Sequence, residues 1–547
     1  MTEKLTLIAP EIALFVTTCV VMVLGLSPSL AARKMCAWIS GLGLVIAAGL
    51  AVPAVLDVQT ASAATGIFPS MQPYMKGLIA VVGLMLLPMM SGTVDREMET
   101  MIAAGRAKYE ALRANRAEFY SFFLFSLTGL MLTVSADDLI WLFLALELTS
   151  LPTYIMVTIS TRSTRSQEAG VKYFFIGALG AAVFLYGFAL LYGATGSTSL
   201  AEIHRVLAAQ EFGPEGGLSP IAIAGLVISL LGLGVKIAAV PMHFYVADVY
   251  QGAAAGVTAM LAFVPKAAGF VAIILLAGAV GWGHEAEPRQ LPDALHWTLW
   301  ILAAATMTAG NVLAALQSSV KRMLAYSSIA HSGYMLAGVM AGPGERGFFD
   351  DGIAAVLFYL LCYGVMNVGA FAVLAAIERR DGRETDEIDD IRGLHRRHPH
   401  LAAAMLLCSL SLLGLPPLLG FFGKLGLFTA VISTGTADMY ALAVVLGINS
   451  AIAAFYYLRL VMAAYIDAPD EAREAELEPV ARPTRTIAAM VSAGGVVVLL
   501  AVVGPLMGFS LEAAGFSSEL DGAGFEAGRG AQLEPETPTP APSPEAD

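Results

Sequence analysis

With 57% hydrophobic and 14% charged residues over 547 positions, this sequence falls well short of the roughly one-quarter charged fraction of a soluble chain. Its mean hydropathy is +0.72, and long apolar runs alternate with short charged clusters, which excludes a disordered chain, a coiled coil and a collagen-like fibre. A net charge of -13 also argues against nucleic-acid binding, since phosphate would be repelled.

Apolar runs of about 20 residues, the length that spans a bilayer, fall at 5–27, 35–56, 75–92, 117–135, 139–159, 169–194, 218–245, 253–280, 294–315, 323–341, 350–377, 401–433, 438–465 and 484–508. These runs, about fourteen, predict an all-α polytopic membrane protein. The first follows a single lysine and ends without a small-residue cleavage site, so it reads as a retained helix rather than a signal peptide. The run at 323–341 is short and rich in Ser, Gly and His, and Pro416 and Pro417 interrupt the one at 401–433. Cys19, Cys36, Cys362 and Cys408 lie far apart in or beside apolar runs, with no C-x-x-C pair. They read as small core hydrophobes rather than metal or iron–sulfur ligands.

Loop charge supplies the orientation. Loops after odd-numbered runs hold Arg33 and Lys34; Arg96, Arg106, Lys108, Arg113 and Arg116; Arg162 and Arg165; Lys321 and Arg322; Arg379, Arg380, Arg383, Arg392, Arg396 and Arg397; and Arg473, Arg482 and Arg485. The loop after the seventh run, with Asp248 alone, lacks a basic residue. Loops after even runs are mainly acidic: Asp57; Asp137 and Asp138; Glu202 and Glu211; Glu285 and Glu287; Glu345 and Asp350. By the positive-inside rule the odd loops face the cytoplasm and both termini face outward. From about residue 512 the chain is acidic and rich in Pro, Ser, Thr and Gly, a composition that cannot bury enough apolar surface to fold. The segment 378–400, the largest charged insertion between helices, reads as a solvated loop in preference to a short surface helix or a partner contact.

Four charges sit well inside apolar runs: Glu147 in the fifth, Lys236 in the seventh, Lys266 in the eighth and Lys424 in the twelfth. Each costs on the order of 3 kcal/mol at mid-bilayer unless it finds a partner or water. They are therefore expected to face the bundle interior, where Glu and Lys are reversible proton carriers. Lys236 precedes Pro241 by five residues, and Lys424 follows Pro416-Pro417. Helix breaks beside a central lysine in both halves of the chain are the pattern of a transporter built from inverted repeats. The expected division is 1–116 (three N-terminal helices), 117–280 and 281–466 (two five-helix repeats, the second inverted because five is odd), 467–511 (a C-terminal helix) and 512–547 (the tail). Lys172, near the start of its run, reads as snorkelling to the interface, Lys321 equally as a topological anchor, and Arg459 as a helix-end anchor. His243 and His331 read either as proton relays or as packing histidines, with His243, two residues past Pro241, favoured as a relay.

At these residues the sequence resembles the antiporter-like membrane subunits of proton-pumping NADH–quinone oxidoreductase (respiratory complex I), most closely the subunit N branch. The matching stretches are LFLALELTSLPTYI (142–155), EAGVKYFFIGALGAAVFLYGFALLYGATG (168–196), VKIAAVPMHFYVADVYQGAAAGVTAMLAFVPKAAGF (235–270), QSSVKRMLAYSSIAHSGYMLAGV (317–339) and GLPPLLGFFGKLGLF (414–428). The resemblance implies fourteen helices with two inverted repeats, and proton-channel roles for Glu147, Lys236, Lys266 and Lys424. It implies no redox centre in this chain: NADH, FMN, iron–sulfur clusters and quinone would be handled by partner subunits. The expected partners are other antiporter-like and small membrane subunits within a bacterial cytoplasmic (inner) membrane, with both termini periplasmic. One departure stands out. Ala247, Ala254 and Gly256 replace the family's usual prolines around D-V-Y-Q-G, which implies a less rigid start to the eighth helix. Subunits of multisubunit cation/proton antiporters and membrane-bound hydrogenases share the fold and are the alternative reading. The orientation is testable directly: an alkaline phosphatase fusion after Ala514 is expected to be active and one within the 381–398 loop inactive, and the reverse pattern overturns the assignment.

Overall fold

Inside a bilayer the backbone N–H and C=O groups of an apolar run have no partner but each other, which leaves the helix as the local solution. In the computed structural model, residues 6–56, 66–106, 108–110, 114–161, 163–211, 216–282, 291–380, 384–469, 475–478 and 481–515 are described. Each predicted run contains helix, and among the described residues strand pairing is confined to isolated antiparallel bridges such as Ser319 with Glu387. The expected unfolded tail lies outside the described residues from 516 onward, as do Asp57, Arg113, Arg162, Glu285, Glu287, Arg383 and Arg473 of the loop-charge reading.

The N-terminal region comprises α1 (Ala9–Gly25), α2 (Leu30–Leu56), α3 (Met71–Met90) and the short α4 (Arg96–Ala103). Then follow α5 (Arg116–Val134), α6 (Leu139–Ile159), α7 (Thr164–Thr195), α8 (Leu200–Glu211), α9 (Pro220–Lys236), α10 (Val246–Gly252) and α11 (Ala255–Val280). The second half holds α12 (Asp293–Ala315), α13 (Val320–Ala341), α14 (Gly352–Ala376), α15 (Leu394–Arg397), α16 (Pro399–Leu413), α17 (Leu419–Ser433) and α18 (Ala437–Tyr465). It closes with α19 (Pro483–Val498) and α20 (Val503–Ala513), joined by a 3-10 turn. Side-chain caps start several of these: Asp138 for α6, Ser163 for α7, Ser219 for α9, Ser319 for α13 and Asp351 for α14.

Among the described residues, 10 stretches are long and apolar enough to cross a membrane: α2, α3, α5, α6, α7, α11, α12, α14, α18 and the continuous Pro483–Ala513 run. α1, α9, α16 and α17 are apolar but shorter. α13 has the length but carries Lys321, Arg322, Ser327, Ser328, His331 and Ser332. The twelfth predicted run is split into α16 and α17, while helix in the seventh (218–245) stops at Lys236 and the short α10 follows just past its predicted end. The most apolar windows of α11 and α14 are 100% buried, against 33% for α2 and 28% for Pro483–Ala513. α11, α13 and α14 thus form the interior, and the others wrap them with apolar side chains such as Trp38 and Val23 pointing outward.

Two segments differ from expectation. Residues 200–211, expected as part of an acidic loop, form the amphipathic α8. Leu200, Ile203, Leu207 and Ala208 recur at helical spacing and bury against the bundle. The segment 378–400, expected to be solvated, is folded against the helix ends wherever it is described. Glu378 is buried and accepts from Arg96 (2.8 Å), Arg482 (2.5 Å) and Arg485 (3.2 Å). Asp390, also buried, takes both oxygens of its carboxylate to Arg379 (2.9 and 3.0 Å). Glu384 accepts from Lys321 (3.0 Å) and from the Ala255 N–H that opens α11 (2.6 Å). Burial alone would push the Glu384 carboxyl up, but the charges of Lys321 and Arg485 hold it below its ordinary value. Arg380, Arg392, Arg396 and His400 do face outward, but the solvated reading fails for Glu378 and Glu384 because their cations, Arg96, Lys321, Arg482 and Arg485, come from segments distant in the chain.

Helix pairs close where small residues let backbones meet. A Cβ added at Gly310 of α12 would lie 2.5 Å from the Ala330 nitrogen, and one at Gly333 of α13 would lie 2.5 Å from the Met307 nitrogen. Backbone atoms cannot rotate away, so Gly333→Val must push α12 and α13 apart. It is expected to cost about 3 kcal/mol or more and to deplete the assembled complex on a native gel. Normal assembly would show that this contact is dispensable.

Candidate functional site

Both helix breaks end a half-helix on its electronegative side, and both place a lysine there. α9 terminates at Lys236, in its own last turn, where a cation complements the exposed carbonyls. α16 ends at Leu413 with Gly414 in the left-handed region (φ 87°), and Lys424 reaches back from α17 to donate to the Leu413 carbonyl at 2.8 Å. The two lysines thus sit on opposite sides of their breaks, and of the two it is Lys424 whose ammonium donates directly to a half-helix carbonyl. Gly414 is required twice over: its backbone is left-handed, and a Cβ would lie 2.8 Å from Lys424 Cδ.

The three lysines differ in what surrounds them. Lys236 Nζ donates to Glu147 Oε1 at 2.8 Å and to Ser150 Oγ at 2.8 Å, with the lysine side chain 4% and the glutamate 18% exposed. Glu147 and Ser150 sit on α6 one turn apart, so the same face presents both. Lys266, on the interior of α11, donates to the carbonyl and, at 2.9 Å, to the hydroxyl of Ser328 on α13. Lys424 has the Leu413 carbonyl and the face of Tyr334, 5.0 Å from the ring centre. Only Lys236 among the three has a carboxylate within ion-pair distance among the described residues.

Lys236 and Lys266 line one cavity of about 20 Å³, together with Tyr173, Tyr245, Tyr250 and Ala238 among others. That is room for about one water molecule with polar groups on several sides. Tyr173 and Tyr245 stack at 5.7 Å, and the Tyr245 hydroxyl donates to the Val235 carbonyl at 2.8 Å, pinning the wall to the end of α9. Ala238 has a φ of 58°, a conformation uncommon for a residue with a Cβ, and it marks the break itself as strained.

Beyond Lys266, His331 is buried between two tyrosine hydroxyls, Tyr359 at 2.6 Å and Tyr457 at 3.0 Å, with Tyr457 also bonded to Ser327. His331 lies within electrostatic reach of both Lys424 and Lys266. His243 is half-buried at the α9–α10 break, and among the described residues no hydrogen bond or ion pair joins its side chain to Glu147 or to the three lysines. Lys321, read equally as an anchor, is buried on Glu384. Lys172 is partly exposed, paired with Glu168 (2.7 Å) and Asp248 (2.9 Å), and Arg459 caps the end of α12 through the Ala315 and Gln317 carbonyls.

Sequence reasoning missed Ser150, Ser328 and the tyrosines, because hydroxyls are common in apolar runs and nothing local says which face they occupy. It also missed a second buried ion pair, Lys76 with Glu11 at 2.8 Å. Each of these lies at the start of its run, where a charge reads as an anchor. Among the described residues no group of His, Cys, Asp and Glu is arranged to hold a metal ion.

Residues 136–452, which contain all four predicted charges, match the family model described as NADH:quinone oxidoreductase/Mrp antiporter, TM. The chain is 35% identical over 509 residues to NADH-quinone oxidoreductase subunit N of Nitrosomonas europaea, covering 92% of this chain and 96% of the relative. It is 37% identical to the subunit N of Herminiimonas arsenicoxydans over 507 residues, covering 91% and 96%. Among solved structures it resembles a chain of respiratory complex I from Thermus thermophilus with a TM-score of 0.69 and 30% identity, covering 91% of this chain and 98% of that one. A chain of the Mrp complex from Dietzia shares the fold at a TM-score of 0.74 and 21% identity, covering 94% and 97%. The chain therefore belongs to the NADH:quinone oxidoreductase/Mrp antiporter family of membrane subunits, in its NADH-quinone oxidoreductase subunit N branch.

Proposed function

We propose that this chain is a proton-translocating membrane subunit of NADH–quinone oxidoreductase, converting the redox work of other subunits into proton movement through Glu147, Lys236, Lys266 and Lys424. The observation that carries the reading is the Glu147–Lys236 pair, placed at a helix break beside a water-sized cavity that reaches Lys266. The cation/proton antiporter and hydrogenase reading rests on fold alone, since the Mrp likeness is 21% identical whereas relatives named subunit N are 35% and 37% identical over nearly the whole chain. NADH, FMN, iron–sulfur clusters and quinone belong to partner subunits in this proposal, and the complex sits in a bacterial inner membrane with both termini of this chain periplasmic.

The chemistry follows from the ligands. With Glu147 at 2.8 Å the extra proton resides on Lys236 Nζ, stabilised by the carboxylate and by the Ser150 hydroxyl. When Glu147 withdraws, that stabilisation is lost, and the Nζ–H can turn to the cavity and pass its proton across one water to Lys266 Nζ. Ser328 then holds the charged Lys266 with neutral oxygens only. His331, bonded to Tyr359 and within electrostatic reach of both Lys266 and Lys424, is the group assigned to the step onward to Lys424. His243 is given no step.

Two sets of variants test this with NADH-driven proton uptake in inside-out vesicles, complex content being checked on a native gel. Lys236→Ala removes the charge, and Lys236→Arg keeps it but releases no proton near neutral pH. Both are expected to assemble and to lose most pumping together with coupled quinone reduction. Glu147→Gln is expected to resemble them, and Glu147→Asp to retain part of the activity. An Arg variant that pumps normally refutes the relay role of Lys236.

The second set targets the cavity. Leu261, in its wall, can be enlarged without touching the ion pair. Leu261→Phe is expected to leave assembly intact while pumping drops severalfold, and a normal rate would mean that protons do not cross this cavity.

A further inference from the structure

The break after α9 leaves a carbonyl without its ordinary partner. In a continued helix the Ile237 carbonyl would accept from the residue four positions on, but that residue is Pro241, which has no N–H. The hydroxyl of Ser332, on α13, takes its place, donating to the Ile237 carbonyl at 2.8 Å. The same hydroxyl lies 3.2 Å from a second acceptor, the carbonyl of Ser328 one turn back on its own helix. That second carbonyl is the one to which Lys266 Nζ donates. A hydroxyl has one proton to give, so it serves either the Ile237 carbonyl, which has no N–H partner in α9, or the Ser328 carbonyl, where it would add to the intrahelical N–H of α13.

We propose that Ser332 is a positioning residue that couples the two inner lysines: its hydroxyl holds the α9 break while Lys266 occupies the Ser328 carbonyl, and swings to that carbonyl when Lys266 turns away. The inference rests on the proton-transfer reading above and adds to it the element that makes the two lysines respond to each other. When Lys266 leaves Ser328 for the cavity, the buried carbonyl keeps the Ser332 N–H of its own helix but loses its charged second donor, and the Ser332 hydroxyl is the replacement within reach. Releasing Ile237 then frees the residue that follows Lys236, at a backbone already strained at Ala238. α13 suits this role. Its first turn is clamped by the folded segment after Glu384, through Val320 N–H to the Asp386 carbonyl (2.6 Å) and the Ser319 hydroxyl to Asp386 Oδ1 (2.5 Å). Further along, Ser328 meets Lys266, Ser327 meets the His331 partner Tyr457, and Tyr334 lies under Lys424. The helix is held at one end, and its middle carries hydroxyls with a choice of acceptor.

The test compares Ser332→Ala with Ser332→Thr in the intact complex, reading protons moved per NADH oxidised at matched complex content. A purely structural role would change the amount of complex but not this ratio. The expected result is a severalfold lower ratio for S332A and a ratio near the parent's for S332T, which keeps the hydroxyl. An unchanged ratio in S332A overturns the proposal, and so does an equal fall in both, which would assign the loss to packing. Should S332A not assemble, Ser332→Cys, close in size and a weak donor, carries the test: a lowered ratio supports the coupling and the parent's ratio overturns it. Failure of the underlying reading is separable, because it appears as normal pumping by Lys236→Arg and Glu147→Gln, whatever Ser332 does.

Discussion

A charge held at membrane depth must be given a partner, and the interior of this chain is organised around meeting that demand without locking the charge in place. The carbonyl ends of half-helices, serine hydroxyls and one carboxylate meet it together. The helix breaks exist where a proline cannot continue the hydrogen-bond ladder. At the second break Lys424 itself donates to the freed Leu413 carbonyl, whereas at the first the Ile237 carbonyl takes the Ser332 hydroxyl and Lys236 turns to Glu147 and Ser150. Lys266, in the uninterrupted α11, finds its acceptors on Ser328 of a neighbouring helix.

The three lysines are not equivalent copies of one arrangement. Lys236 has a formal counter-charge, Lys266 has neutral oxygens, and Lys424 has one carbonyl and an aromatic face. Among the described residues the first site alone pairs its lysine with a carboxylate, a partner whose displacement would alter how well the charged form is stabilised. Moving one carboxylate by an ångström or two changes the balance at Lys236, whereas the other two sites have no such adjustable partner among the described residues.

Rigidity is supplied at the helix ends that the loop-charge pattern assigns to the cytoplasm. Glu378 and Glu384 tie a folded connecting segment to α11 through the Ala255 N–H, to α13 through Lys321 and to α19 through Arg485, while Asp390 and Arg379 pair within the segment itself. Removing one member of such a buried network leaves its partners with uncompensated charge, which is why networks of this kind hold geometry more firmly than surface pairs do. The apolar body between them can then shift at the breaks without losing its frame.

Much of this was legible in the residues alone. Apolar run length and the alternation of loop charge were enough for an all-helical membrane protein. The cost of buried charge singled out Glu147, Lys236, Lys266 and Lys424, because an ionisable group at that depth is seldom retained without a function. The proline positions located both breaks. Four things were decided by tertiary structure: that Glu147 meets Lys236 rather than another lysine, that Ser328 holds Lys266, that the 378–400 segment folds inward, and that Ser332 replaces the hydrogen bond Pro241 cannot make. The physical reason is the same in each case. A charge announces itself by its cost wherever it sits, whereas a hydroxyl, a carbonyl or a loop carboxylate acquires its role only from the group that a distant helix brings to within hydrogen-bonding distance.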